Sequence, residues 1–232
     1  MDGEAGALRR LFVDYRHFWF AFVVILIDQV IKLIVKFTMH PYEEIKVIGD
    51  FCRINYIENK GAAFGLTISD LLANLGIALD DETAKLVLTL FSIVAVIVII
   101  YLLQQVRNST TTLPYFLAMI LGGAVGNIID RVFYGVWFAG INDYEGGLLH
   151  GRVVDMFYVN LVHGKFLGMD LNLLPVFNVA DAAIGIGIIA IVVFQRRFFK
   201  MGQRELDPLA DDSEVEISTA MEAETSTAEN QH

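Results

Sequence analysis

Leu174-Pro-Val-Phe-Asn-Val-Ala-Asp-Ala-Ala-Ile-Gly-Ile-Gly187 runs without a break into apolar residues as far as Phe194. A hydrocarbon core of about 30 Å is crossed by about 20 helical residues, so this stretch is long enough to span a bilayer. Yet Asp181 sits in its first turn, with Asn178 three residues earlier. A carboxylate at that depth costs several kcal/mol unless it is neutralised, and such residues are usually functional. No Lys or Arg lies within a turn on either side, so the neutralising partner must come from elsewhere in the fold.

Working outward, three more segments have the length and apolarity of spans. They lie near 16–37, 85–104 and 113–133, and the quoted stretch supplies the fourth at about 179–199. The first apolar run is too long for a cleaved signal peptide and has no small-residue cleavage site after it, so it is expected to remain as a span. Of the 232 residues, 55% are hydrophobic, and the mean hydropathy is +0.54, which excludes an ordinary soluble domain. The formal net charge of -10 misleads as a global figure: nine of the 27 acidic residues follow Arg204, where there is no Lys or Arg. Residues 205–232 therefore read as a disordered, acidic cytoplasmic tail, and 1–204 as the membrane domain. With a nearly neutral body, a nucleic-acid partner has no basic patch to sit on. Cys52 is the single cysteine, so neither an internal disulfide nor a cysteine metal cage is expected.

Arg9, Arg10 and Arg16 precede the first span, Arg107 lies in the short middle loop, and Arg196, Arg197, Lys200 and Arg204 follow the fourth. This bias places both termini in the cytoplasm and both long connections, 38–84 and 134–178, outside. In the first connection, Phe51–Ile57 alternates like a strand and Asn59–Gly65 supplies a tight turn. The stretch from Ser69 to Leu79 suits a short amphipathic surface helix. Arg152–Val159 in the second connection again reads as strand. The expected fold is all-α with a small β element: four transmembrane helices carrying an extracytoplasmic β-cradle on their outer ends.

The intramembrane polar residues leave alternatives open. Asp28 and Lys32 share one helix face four residues apart, either as a self-neutralising pair or as part of a proton relay. In the third span, Gly122, Gly123, Ala124 and Gly126 permit close helix contact, and Asn127, Asp130 and Arg131 follow. These three make either a polar collar at the water boundary or, through Asn127 and Arg131, a ligand-binding face. Asp155 lies in an apolar strand that should return to the helix tops, where Asp181 begins the fourth span. Two carboxylates in one site cannot both ionise cheaply, so one keeps a proton, giving a general acid and a general base. The alternative is a set of scattered structural aspartates. His150 and His163 have no ligand spacing to these aspartates, so no metal is expected. A proton-coupled transporter is the rival class, disfavoured by only four spans, no repeat and no polar path to the inner half; an inert scaffold is the other.

Four blocks together resemble one family: Asp28–Lys32, Asn59–Gly65, Gly122–Arg131 with Val154-Asp155, and Phe177–Ile184. In that order they are similar to the bacterial lipoprotein signal peptidases (signal peptidase II), over about residues 16–199. The resemblance implies an aspartyl endopeptidase of the inner membrane, with Asp155 and Asp181 as catalytic dyad and its active site near the outer face. It implies that Asn59, Gly61, Asn127, Arg131 and Asn178 line the substrate site, and that Asp28, Lys32 and Asp130 are structural polar residues. Implied partners are diacylglyceryl-modified prolipoproteins, cut before the lipidated cysteine, membrane lipid, and the inhibitor globomycin. No cofactor is implied, and a monomer is expected. The segments 136–150 and 160–172, like the acidic tail, exceed the family's usual pattern.

Overall fold

The structure is a computed structural model that describes residues 14–61, 80–142, 144–160, 165–166, 169–170 and 175–206. The amphipathic helix expected at 69–79, residues 62–65 of the turn block, Asp143, most of 160–172 and the tail from 207 lie outside the described residues. Helix α1 covers Arg16–Thr38, α2 Asp81–Val106, α3 Leu113–Ile129 and α4 Val179–Leu206. Their starts and stops follow local chemistry. Asp80 caps α2 by accepting the Thr83 backbone N–H at 3.1 Å. Pro114 occupies the first turn of α3, where a missing N–H costs nothing. At the far end of α1, Met39 turns extended one residue short of the His40-Pro41 pair.

Three helical stretches, Arg16–Thr38, Glu82–Val106 and Leu113–Trp137, are long and apolar enough to cross a membrane; the apolar run Val179–Gln195 is shorter. Polarity is inverted relative to a soluble bundle. Phe22, Phe91, Ile97 and Ile189 are exposed, whereas Asp28, Lys32, Asn127 and Asp130 are buried. Lipid as solvent explains this: tails accept the apolar faces, and polar groups must satisfy one another inside.

Helix α3 is the hub, packing on α4, α1 and α2. Two adjacent glycines make that possible. A Cβ on Gly122 would stand 2.7 Å from the Ala21 carbonyl oxygen of α1, and one on Gly123 2.4 Å from the Ala180 carbonyl oxygen of α4. Side chains there would push both neighbours away, so the small residues set the close approach.

On top of the helices lies a three-stranded antiparallel sheet, β1 (Glu44–Ile48), β2 (Cys52–Asn59) and β3 (Val153–Val159), with β2 in the centre. A second pair, β4 (Lys165–Phe166) and β5 (Met169–Asp170), is a two-residue ladder. Strand β1 adds to the sequence reading, which assigns no element to Glu44–Ile48. All five of its residues are exposed, so no buried face imprints an alternation strong enough to read. Register in β2–β3 pairs Ile57 with Asp155, Glu58 with Val154 and Asn59 with Val153, beyond an irregularity between Ile54 and Ile57. One face packs on the helix ends through Val35, Met39, Tyr56, Tyr134, Phe138, Val154 and Met156.

The C-terminal end of the third helix also differs from expectation. Instead of stopping near residue 133, α3 passes through a π-helical turn, Asp130–Tyr134, into a final turn, Gly135–Trp137. The returning chain explains it. Gly151 donates its N–H to the Arg131 carbonyl at 2.9 Å and Leu149 to that of Val132 at 3.0 Å, taking carbonyls an α-helix would use internally.

Candidate active site

The site is built where three chain segments converge, and Asn178 is the piece they share. The residue before it, Phe177, is clipped to β3 by backbone bonds to Phe157 in both directions, 2.7 and 3.0 Å. Asn178 is thereby delivered beside Asp155 and becomes the N-cap of α4. Its Oδ1 accepts the Asp181 N–H at 2.8 Å, while its own N–H donates to Asp181 Oδ2 at 3.4 Å. This is the reciprocal capping box, with Asp in place of Glu, and it puts a carboxylate at the positive end of the helix dipole.

The Asn178 side chain then reaches the second carboxylate. Its Nδ2 donates to Asp155 Oδ1 at 2.7 Å, with longer contacts to Asn127 Oδ1 at 3.2 Å and the Val154 carbonyl at 3.4 Å. Asp155 Oδ2 accepts from Asn59 Nδ2 at 2.9 Å. Asn127 Nδ2 donates to Asp181 Oδ1 at 2.8 Å. Asp155 is 2% exposed, while Asp181 is half-buried, so the second carboxylate faces the open side.

Beneath this layer lies a buried ionic one. Lys32 Nζ is 2.8 Å from both Asp28 Oδ2 and Asp130 Oδ2, and donates to Asn127 Oδ1 at 2.9 Å. The self-neutralising pair of Asp28 and Lys32 is thus a triad, one ammonium between two carboxylates. Nor do Asn127 and Asp130 form a collar at the water boundary: they are 6% and 0% exposed. Gln29 Nε2 supplies further donors, to Asp130 Oδ1 at 2.9 Å and Asp28 Oδ2 at 3.2 Å. Asp28 Oδ1 accepts the Ala180 N–H at 2.8 Å, capping an otherwise orphaned donor of α4 from a different helix. Asp130 Oδ2 accepts the Val154 N–H at 3.2 Å and ties β3 to α3.

Lys32 also dictates how Asn127 is used. An ammonium only donates, so Asn127 must turn its oxygen toward Lys32 and its NH2 toward Asp181. The buried cation therefore acts on Asp181 through one intervening amide.

Arg131 points elsewhere, as its position one residue on from Asp130 requires. Its Nη1 donates to Ser92 Oγ on α2 at 2.9 Å, and it lies within electrostatic range of Asp181, Asp130 and Asp155. Ser92 is a contributor that sequence reasoning missed; one serine in an apolar helix carries no pattern. Gly61 sits at φ +99°, and a Cβ there would meet Leu88 Cδ2 of α2 at 2.7 Å. Its N–H donates to Asn59 Oδ1 at 2.8 Å, which leaves the Asn59 NH2 for Asp155.

Burial, with the nearby negative charge of Asp181 adding to it, raises the Asp155 carboxyl to about 7. The hydrogen bonds from Asn59 and Asn178 and the field of Lys32 oppose that rise. A carboxyl raised above its unfolded value of about 3.9 stabilises the fold most when protonated, and that contribution is lost as pH climbs through about 7. Replacing Asp155 by Asn removes the dependence. The thermal midpoint of Asp155→Asn relative to the parent should therefore rise between pH 4 and 8; a flat difference across that range contradicts the raised carboxyl. Among the described residues, no group of three or more His, Cys, Asp or Glu converges as a metal site would require.

Fold and site first define a class, a multi-pass membrane protein whose polar machinery is assembled from carboxylates and carboxamides at the helix ends. Residues 20–197 match the family model described as Signal peptidase (SPase) II, and the chain belongs to that family of aspartic-type peptidases. A lipoprotein signal peptidase from Porphyromonas gingivalis is 38% identical over 192 residues, covering 74% of this chain and 78% of the relative. Another, from Pelodictyon phaeoclathratiforme, is 33% identical over 178 residues, 76% of this chain and 88% of the relative. Among solved structures, a bacterial membrane enzyme determined by the in meso method aligns with a TM-score of 0.54 at 25% identity, covering 78% of this chain and 88% of its own. A second structure of a bacterial membrane enzyme aligns at 0.53 and 26% identity, over 77% and 90%.

Proposed function

We propose that this chain removes signal peptides from prolipoproteins by aspartic hydrolysis, with Asp155 and Asp181 as the catalytic pair. The observation that carries this is Asn178, whose amide donates to Asp155 while its backbone N–H donates to Asp181. One residue thus holds both carboxyl groups in a single constellation, and burial plus mutual repulsion leaves a proton on Asp155. The more accessible Asp181 then takes a proton from the attacking water as the Asp155 proton goes to the scissile carbonyl oxygen; when the C–N bond breaks, Asp181 passes its proton to the leaving amine and a gem-diol hydroxyl returns one to Asp155. Metal-free acid–base chemistry of this kind needs only the two carboxyls and their orienting amides.

Asn59 and Asn178 hold Asp155, Asn127 holds Asp181, and Arg131 and the Gly61 turn border the open side, where they would hold the substrate backbone. Asp28, Lys32 and Asp130 support that layer from below. The substrate is a precursor whose cysteine already carries diacylglycerol; its acyl chains stay in the bilayer while the bond before the cysteine reaches the carboxyls. In this reading α4 is the fourth span, both termini are cytoplasmic, and the site faces the outer side of the bacterial inner membrane. The protein works as a monomer among membrane lipids, and globomycin occupies the same site.

Lipid dependence tests the substrate assignment. The purified protein in lipid should cut a diacylglyceryl-modified precursor before its cysteine, and cut the unmodified precursor at least about a hundredfold more slowly. Equal rates on both, followed on a gel, would remove the lipid from the recognition scheme.

A further inference from the structure

Lys36, Glu58 and Tyr56 form a second buried polar cluster that neither the carboxamide network nor the ionic layer uses. Lys36 Nζ pairs with Glu58 Oε1 and reaches Tyr56 Oη at 3.1 Å, and the tyrosine hydroxyl donates to the same carboxylate oxygen at 2.6 Å. All three are nearly inaccessible, at 3%, 8% and 2% exposure, and the ammonium also stands 5.1 Å from the Phe138 ring centre. Lys36 continues the stripe of Asp28 and Lys32, one helical turn further along α1.

The placement of this cluster along β2 is what gives it a task. Asn59, the donor to Asp155 Oδ2, is the last residue of β2, and only three pairs, at Ile57, Glu58 and Asn59, follow the irregularity. The ladder before the bulge therefore does not by itself dictate where those three residues fall. A one-residue slip would turn Asn59 to the opposite face and bring Glu58 toward Asp155, setting two carboxylates against each other. Glu58 is next to Asn59 and points the other way, into the helix-facing side, where Lys36 waits on a rigid helix. Tyr56, on the same side beside the bulge, closes the cluster.

We infer that the Lys36–Glu58–Tyr56 cluster is a register clamp that positions Asn59 on Asp155, making these three residues positioning elements of the hydrolysis. The inference rests on the peptidase reading above, because it supposes that Asp155 works in catalysis. Replacing a buried ion pair by apolar side chains of similar size is often neutral or stabilising, which allows positioning to be separated from stability.

The experiment is a double-mutant cycle on the full-length protein in lipid, using a diacylglyceryl-modified precursor peptide. Lys36→Met/Glu58→Met should keep the thermal midpoint within a few degrees, lower kcat about tenfold and leave KM within twofold. Asn59→Ala should lower kcat by a similar factor. Combining all three changes should cost no more than either alone, since both act through one hydrogen bond. Losses that multiply, or an unchanged kcat in the clamp variant, overturn the clamp. If the apolar pair does not fold, Tyr56→Phe, which deletes one hydroxyl, carries the same cycle at about threefold, under the same two criteria. Asp155→Asn is run alongside: full activity there strikes the peptidase assignment itself, whereas its loss together with a multiplying cycle removes only the clamp.

Discussion

Asp155→Asn and Asp181→Asn should each leave a folded protein that cuts a lipid-modified precursor at least about a thousandfold more slowly. Both replacements are close in shape, so the helices lose no packing, and the loss falls on proton transfer. In Asp155→Asn there is no carboxyl proton to give the scissile carbonyl oxygen; in Asp181→Asn there is no carboxylate to take one from water and pass it to the leaving amine. Because the two act as a unit, the double variant should be no worse than either single one, the non-additivity expected of groups serving the same step. Processing on a gel, with thermal midpoints measured in parallel, decides the matter. Full cleavage by either stable variant would end the dyad assignment. A scaffold role for the aspartates predicts the opposite signature, a drop in stability with no separate activity to lose. The pH dependence adds a second discriminator, since Asp155→Asn should abolish the loss of stability that the raised carboxyl imposes toward neutral pH, whereas Asp181→Asn, which removes the charge that adds to the rise, should only reduce it.

What could be read without coordinates was what leaves a periodic or compositional trace. Long apolar runs announce helices because lipid demands an unbroken hydrophobic length, and Arg16–Thr38 and Glu82–Val106 stand out for that reason. Asp181 could be singled out because a carboxylate in such a run is physically anomalous. Its pairing with Asp155 could be proposed, but its hydrogen bond to Asn127 could not: no local spacing points from residue 181 to Asn127, since the contact exists only after α3 and α4 pack through Gly123 and Ala180. Asp28 and Lys32 were legible as an i,i+4 pair, yet the third member, Asp130, is about a hundred residues away and joins them only in the folded bundle. The π turn at Asp130–Tyr134 left no signal because its cause lies in residues 149 and 151, which return to claim its carbonyls. Lys36 and Glu58 are the extreme case. Each looks like an ordinary charged residue at a span boundary or in a surface strand, and both end up buried against each other.

Lys32→Met should be the most damaging single change to stability, although Lys32 touches neither Asp155 nor Asp181. Its ammonium is completely buried between Asp28 and Asp130. Removing one partner of a buried ionic group leaves uncompensated charge, at a cost of roughly 3–5 kcal/mol, whereas apolar replacement of a whole group is far milder. Here two carboxylates are stranded at once. Each must then take up a proton or repel the other, and Asp28 must still accept the Ala180 N–H that anchors α4. Asn127, freed from the ammonium, is no longer obliged to present its NH2 to Asp181. The variant should therefore accumulate poorly in the membrane and unfold well below the parent temperature, and any folded fraction should have lost activity as well. Asp130→Asn should be milder, because it leaves one carboxylate for one ammonium, and Lys32→Met/Asp130→Asn should recover part of the stability lost by Lys32→Met alone. Thermal unfolding of the three variants in the same lipid gives the order directly. If Lys32→Met proves as stable as the parent while activity alone is lost, the buried cation belongs to a proton path, and the structural account of the ionic layer is wrong.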